Sequence, residues 1–304
     1  MSLFVIFVFG GVILVAGTLL SPALPTSQPR IGLAAAFALA LIIGGAVFWA
    51  MLFGWDTLLI DYMVFFLISV IFLGGTLSYG QKRAESRGET LEDVDQGWPG
   101  PLDLALLGIA ALVVLGVVVF VAPSAVVDAT PPARAAAGSP PGFRALVAYL
   151  ENQLSQSMPI TQYATAAVLV FISSWAAYDL GGEISGKQLG RALLIVPTVG
   201  GIFLLVNAQY EMLLGLVFAL AFATFALRYT RYQYTVDAIA AGLMLGAALL
   251  AQGQVFALLV VGYIIALVLL ALRRRPLRRE AWAIMLLGVP LVALVATSPW
   301  LVWR

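Results

Sequence analysis

Residues 31–53 read IGLAAAFALALIIGGAVFWAMLF, twenty-three residues without a charge. As a helix rising 1.5 Å per residue this stretch is about 35 Å long, enough to cross the roughly 30 Å hydrocarbon core of a bilayer. No water is available there to satisfy backbone polar groups, so such a run has to be helical. On its N-terminal side, residues 3–20 form a second apolar run. It opens without a basic residue and closes at Ser21-Pro22, unlike a cleaved signal peptide, and reads as a retained helix. On its C-terminal side the signal recurs at 58–79, 102–121, 163–178, 191–206, 213–226, 238–250, 256–272 and 281–297. The run at 238–250 is short and draws on Val236 and Asp237.

Composition agrees. Hydrophobic residues make up 62% of the 304 and charged residues 10%, with a mean hydropathy of +1.03. Soluble domains are nearer half apolar and a quarter charged. A soluble enzyme and a disordered chain are excluded. A net charge of +1 leaves no basic footprint for a nucleic acid. The chain has no cysteine and no histidine, which removes haem on imidazole, iron–sulfur clusters, zinc sites, disulfides and histidine proton relays. The expected fold is all-α: one polytopic integral membrane bundle over residues 1–304, with about ten spans.

Basic residues orient it. Alternate loops carry Arg30; Lys82, Arg83 and Arg87; Lys187 and Arg191; Arg228 and Arg231; and Arg273, Arg274, Arg275, Arg278 and Arg279. These are thirteen of the sixteen basic residues, the rest being Arg134, Arg144 and Arg304. The positive-inside rule places the first group in the cytoplasm and both termini outside, as expected of a prokaryotic plasma-membrane protein. Residues 1–101 then hold three helices and a cytoplasmic loop ending Gly97-Trp98-Pro99-Gly100-Pro101. The long external segment, 124–162, contains Pro131-Pro132 and Pro140-Pro141-Gly142, followed by apolar residues at helical spacing from Phe143 to Leu154. A short amphipathic helix lying on the outer surface is expected there. Pro197 and Pro290 predict kinks. The pairs Gly10-Gly11, Gly44-Gly45, Gly74-Gly75 and Gly200-Gly201 predict close helix contacts. The cluster Arg273, Arg274, Arg275, Arg278 and Arg279 sets topology and attracts anionic lipid headgroups.

No charge stands in the middle of a span. Asp103, Asp179 and Asp237 lie near cytoplasmic helix ends, which argues against a proton pump. The external acids are few, so each is a candidate base or metal ligand. Asp56 and Asp61 flank a turn after Trp55, where helix capping and interfacial anchoring are the favoured roles. Asp128 sits at the root of the long loop. Glu211 belongs to the polar cluster Asn207-Ala208-Gln209-Tyr210-Glu211, a turn that can also line an outward-opening substrate cavity.

From Tyr210 onward the order is a helix ending in a basic turn, then 240–250 (AAGLMLGAALL), Gln252-Gly253-Gln254, another helix, the arginine loop, and a last helix closing at Ser298-Pro299-Trp300. This layout resembles GT-C membrane glycosyltransferases of the polyprenyl-phosphate-sugar-dependent mannosyltransferase type. The resemblance lies mainly in residues 124–304, with 102–304 as the core and the first three helices as additions. It implies a lipid-phosphate sugar bound between helices at the external face. The family keeps a catalytic acid, often an Asp-Glu pair, in the first external loop. Asp128 alone occupies that place, in Val127-Asp128-Ala129-Thr130. The resemblance makes Asp128 the general base or a divalent-metal ligand, with Glu211, Gln209 and Tyr210, and with Asp61 and Asp56, on the substrate side. Two other readings stand beside it. One is a non-catalytic subunit bound to other membrane polypeptides through its helix faces. The other is a transporter of a lipid or neutral solute.

Overall fold

The computed structural model describes residues 2–21, 24, 30–85, 99–121, 140–155, 157–272 and 278–302. All regular structure among them is helical: α1 Ser2–Leu20, α2 Ile31–Phe53, α3 Thr57–Glu85, α4 Pro101–Phe120, α5 Gly142–Leu154, α6 Met158–Ser185, α7 Lys187–Val206, α8 Tyr210–Tyr232, α9 Thr235–Ala251, α10 Gly253–Leu272 and α11 Arg279–Val302. Every apolar run read from the sequence falls on a helix. Eight helices among the described residues have the length and composition to cross a membrane: α1, α2, α4, α6, α7, α8, α10 and α11. Of the remaining three, two are shorter apolar elements, Thr57–Val70 within α3 and α9 itself, which does take in Val236 and Asp237; the third is α5.

The bundle is built around α6, which packs against α1, α2, α4, α5, α7 and α8. Its sequence allows this, because Ala164, Ala166, Ala167, Ser173, Ser174, Ala176 and Ala177 are all buried and small. Between helices in lipid, close packing and hydrogen bonds replace the hydrophobic drive, so small contact residues matter most. A Cβ on Gly32 of α2 would stand 2.6 Å from the backbone of Trp175 and Ala176. Buried hydroxyls add to the α6–α7 contact, Ser174 Oγ lying 2.8 Å from Thr198 Oγ1. The glycine pairs divide their work. Gly10, Gly45 and Gly201 face neighbouring side chains while Gly11, Gly44 and Gly200 face open space. Only the backbone of Gly74-Gly75 is described.

Turns follow local chemistry. Asp56 Oδ1 accepts the Leu58 and Leu59 amides at 3.0 and 3.3 Å and so caps α3. Asp103 Oδ2 accepts the Gly100 amide at 2.9 Å, with Pro101 opening α4. Gly186, at φ +95°, lets α6 turn directly into α7. Pro290 has no amide for the Leu286 carbonyl, and α11 absorbs this through a π-helical turn, Ile284–Gly288.

One expectation needs correcting. The amphipathic helix exists as α5, but it does not lie on the outer surface. Phe143, Ala145, Leu146, Val147, Ala148 and Leu150 are buried, and the helix is wedged against α2, α6, α8 and α9. Its apolar face therefore packs on protein. The polar side chains Asn152 and Gln153 remain exposed.

Candidate functional site

Three connections meet at the end of the bundle opposite Arg228 and Arg278. The α7–α8 turn is held by Asn207 Nδ2 donating to the Phe203 carbonyl at 2.7 Å and by the Gln209 amide donating to the Leu204 carbonyl at 2.9 Å. The α9–α10 turn consists of Gln252 alone. The start of α5 fits against it because Gly142 has no Cβ: one would lie 2.7 Å from the Leu250 carbonyl oxygen.

Between these pieces is a polar cavity of about 420 Å³, lined by Arg144, Ala208, Gln209, Tyr210, Glu211, Met212, Gln252 and Gln254. Arg144 Nε lies 3.8 Å from Glu211 Oε1. That separation is an ion pair without a hydrogen bond, and both groups keep bonding capacity. Arg144 Nε and the Tyr210 hydroxyl are buried and form no hydrogen bond. Unmet buried donors are costly, which favours a ligand or water that satisfies them. Three carboxamides, a guanidinium, a carboxylate and a phenol offer donors and acceptors in both senses. This set suits a hydroxylated group next to an anion.

Glu211, Gln209 and Tyr210, all marked from the sequence, come together here. Asp56 and Asp61 do not line this cavity. Asp56 is the cap of α3. Asp61 Oδ2 accepts Gln153 Nε2 at 2.6 Å, and Asp61 Oδ1 accepts the Tyr149 hydroxyl, pinning the far end of α5 to α3. Burial, then the Asp61 carboxylate, push the Tyr149 phenol well above its usual range. Asp128 lies outside the described residues, as do Arg273, Arg274 and Arg275. Arg278 and Arg279 are exposed at the start of α11. Among the described residues no three His, Cys, Asp or Glu side chains group to hold a metal.

The larger surprise is at the other end. Glu183 on α6 is 3.1 Å from Arg30 Nη2, 3.5 Å from Arg228 Nη1 and 3.9 Å from Arg231 Nη1. Arg228 Nε donates to Asp237 Oδ1 at 3.1 Å. Asp179 Oδ2 accepts the Leu33 amide at 3.0 Å. Arg30, Asp179, Glu183, Arg228 and Asp237 are all buried, with three acids matching three arginines once Arg231 is included. A second pair, Arg191 Nε to Asp103 Oδ1 at 2.5 Å, ties α7 to α4. These charges stand near helix ends, as the sequence indicated, but they are shielded between helices rather than solvated. The signal available was their placement: all belong to loops that the basic residues had already assigned to one face.

No family model, no curated protein and no solved structure matches this chain.

Proposed function

We propose that the protein is a ten-span plasma-membrane protein with both termini outside, acting on a lipid-phosphate-linked sugar at the extracytoplasmic face in the manner of a GT-C glycosyltransferase. The observation that carries this reading is the Arg144–Glu211 cavity, placed at the end of the bundle away from the arginine loops. Arg144 supplies a planar fork for a phosphate. Gln209, Gln252 and Gln254 supply amides for sugar hydroxyls. Glu211 holds Arg144 loosely enough for the phosphate to compete.

Asp128, at the root of the external loop, takes the chemical role. Its carboxylate accepts the acceptor hydroxyl proton as that oxygen bonds to the anomeric carbon, and the lipid phosphate departs with the bonding electrons. The chain's own acid thus serves as base, and a divalent cation beside it would neutralise the departing phosphate.

The test uses the full chain in nanodiscs with a polyprenyl-phosphate sugar. Arg144→Gln is expected to weaken donor binding by about tenfold, the loss of one charge-assisted contact. Asp128→Asn is expected to retain binding and lose transfer. Unchanged transfer in both Asp128→Asn and Glu211→Gln overturns the reading.

A further inference from the structure

A second cavity, of about 380 Å³, opens between α2, α3, α9 and α11. Its walls are apolar throughout, and include Phe37, Gly44, Phe48, Leu67, Leu243 and Leu250. Along α2 it extends from Phe37 to Phe48, eleven residues, or about 16 Å at helical rise. That is roughly half the thickness of a bilayer's hydrocarbon core. Its two ends differ. Leu243 lies at the middle of α9 and Phe37 in the first third of α2, whereas Phe48 and Leu250 lie toward the ends that share a face with the polar cavity. Leu250 lines this groove, and Gln252, two residues on, lines the polar cavity. An apolar slot therefore descends into the bundle from beside a polar chamber in which the Arg144 Nε and the Tyr210 hydroxyl are buried without a hydrogen bond.

The slot exists because of specific residues. Gly44 presents bare backbone, and a Cβ there would meet nothing within 4 Å. Ala40, Ala247 and Ala296 line the same space. Leucines at these places would close it. Two of its walls, α2 and α3, belong to the first three helices, which lie outside the stretch that resembles the glycosyltransferases.

We infer that this groove seats the hydrocarbon chain of the lipid whose head group occupies the Arg144–Glu211 cavity, so that the N-terminal helices serve as the chain-binding wall of the site. The inference rests on the proposed function for the identity of the head group. Burial of the chain needs apolar walls that reach the polar cavity, and Leu250, two residues before Gln252, brings them there. An amphiphile seated this way holds its phosphate at a defined height while its tail leads toward the bilayer midplane. A volume of about 380 Å³ spread over the length of the groove leaves a cross-section suited to a single extended chain rather than a pair of acyl chains.

The experiment is photolabelling of the full chain in nanodiscs with a polyisoprenyl phosphate that carries a diazirine in its chain. Labels are expected on Met63, Leu67, Leu243 and Met244. Gly44→Phe starts from a Cβ with nothing within 4 Å and projects into the groove, so it is expected to fold and to cut labelling about tenfold or more, since a blocked slot forfeits burial of several methylenes. Gly44→Ala is expected to label normally. A diacyl phospholipid carrying the same diazirine is expected to leave these positions unlabelled. Labels spread evenly over the outer faces of α7 and α10, equal labelling by the diacyl probe, or full labelling of Gly44→Phe would each overturn the inference. The two readings fail separately. Groove labelling that is weakened in the Arg144→Gln variant, with no sugar transfer by the wild-type chain, upholds the chain site and removes the glycosyltransferase reading. Sugar transfer that continues in Gly44→Phe does the reverse.

Discussion

The Glu183 carboxylate on α6 accepts a hydrogen bond from the Arg30 guanidinium at 3.1 Å, joining positions 153 residues apart in the chain. Arg228 reaches the same carboxylate oxygen from α8 at 3.5 Å. One acid thus links the start of α2 to both α6 and α8. Glu183→Gln removes the carboxylate paired with the buried Arg30, while Arg228 keeps Asp237, and is expected to cost about 3–5 kcal/mol. Arg231 also approaches Glu183, but its side chain is 34% exposed, so Arg231→Gln is expected to cost less than about 1 kcal/mol. Thermal unfolding of the detergent-solubilised protein separates the two, and equal losses would refute the assignment.

The crossing of α2 over α6 depends on a missing side chain. A methyl on Gly32 meets backbone atoms of Trp175 and Ala176 at 2.6 Å, and neither can rotate away. Gly32→Ala is expected to destabilise by about 1–3 kcal/mol through overpacking. Gly108 on α4 is exposed, with nothing within 4 Å of its would-be Cβ, and Gly108→Ala is expected to be neutral or slightly stabilising. Melting temperatures of the two variants check this contrast.

Helix α5 is tied to α3 by the Tyr149 and Gln153 contacts with Asp61. Tyr149→Phe removes one of them, at about 0.5–1.5 kcal/mol, and is expected to speed amide hydrogen exchange over residues 149–154. The same contact should respond to alkali. Folding raises the Tyr149 pKa above its ordinary value near 10, so the contribution is complete below that pH. It is lost as pH rises through the higher folded value. Exchange in α5 that ignores both the variant and alkaline pH would dismiss the contact.

The absence of cysteine makes orientation easy to measure. Gln254, by the polar cavity, and Gln188, by the charge cluster, are both exposed. In intact cells Gln254→Cys is expected to react with a membrane-impermeant maleimide, and Gln188→Cys is expected to react only after permeabilisation. The opposite pattern would invert the orientation and every role drawn from it.

Much of the architecture could be read from the chain alone, and for one reason. A bilayer demands long uncharged runs with satisfied backbones, so 31–53 and its counterparts declare themselves helical whatever they touch. The Asp56 cap was equally legible, because capping is a contact between near neighbours in sequence. The polar turn Asn207–Glu211 was recognisable as a candidate lining for the same local reason. What it faces was hidden: Arg144, Gln252 and Gln254 arrive from α5 and the α9–α10 turn, and no spacing rule links them to Glu211.

Local pattern therefore determined that this is a bundle of apolar helices and which residues sit near each helix end. Packing alone decided that Arg30, Glu183, Arg228 and Asp237 are partners, that α5 is buried, and that Gly32 is a crossing point while Gly44 borders empty space. Hydropathy and capping act over a few residues and are written along the chain. Close approach and charge pairing act through space, and they come into being only when helices distant in sequence are set side by side.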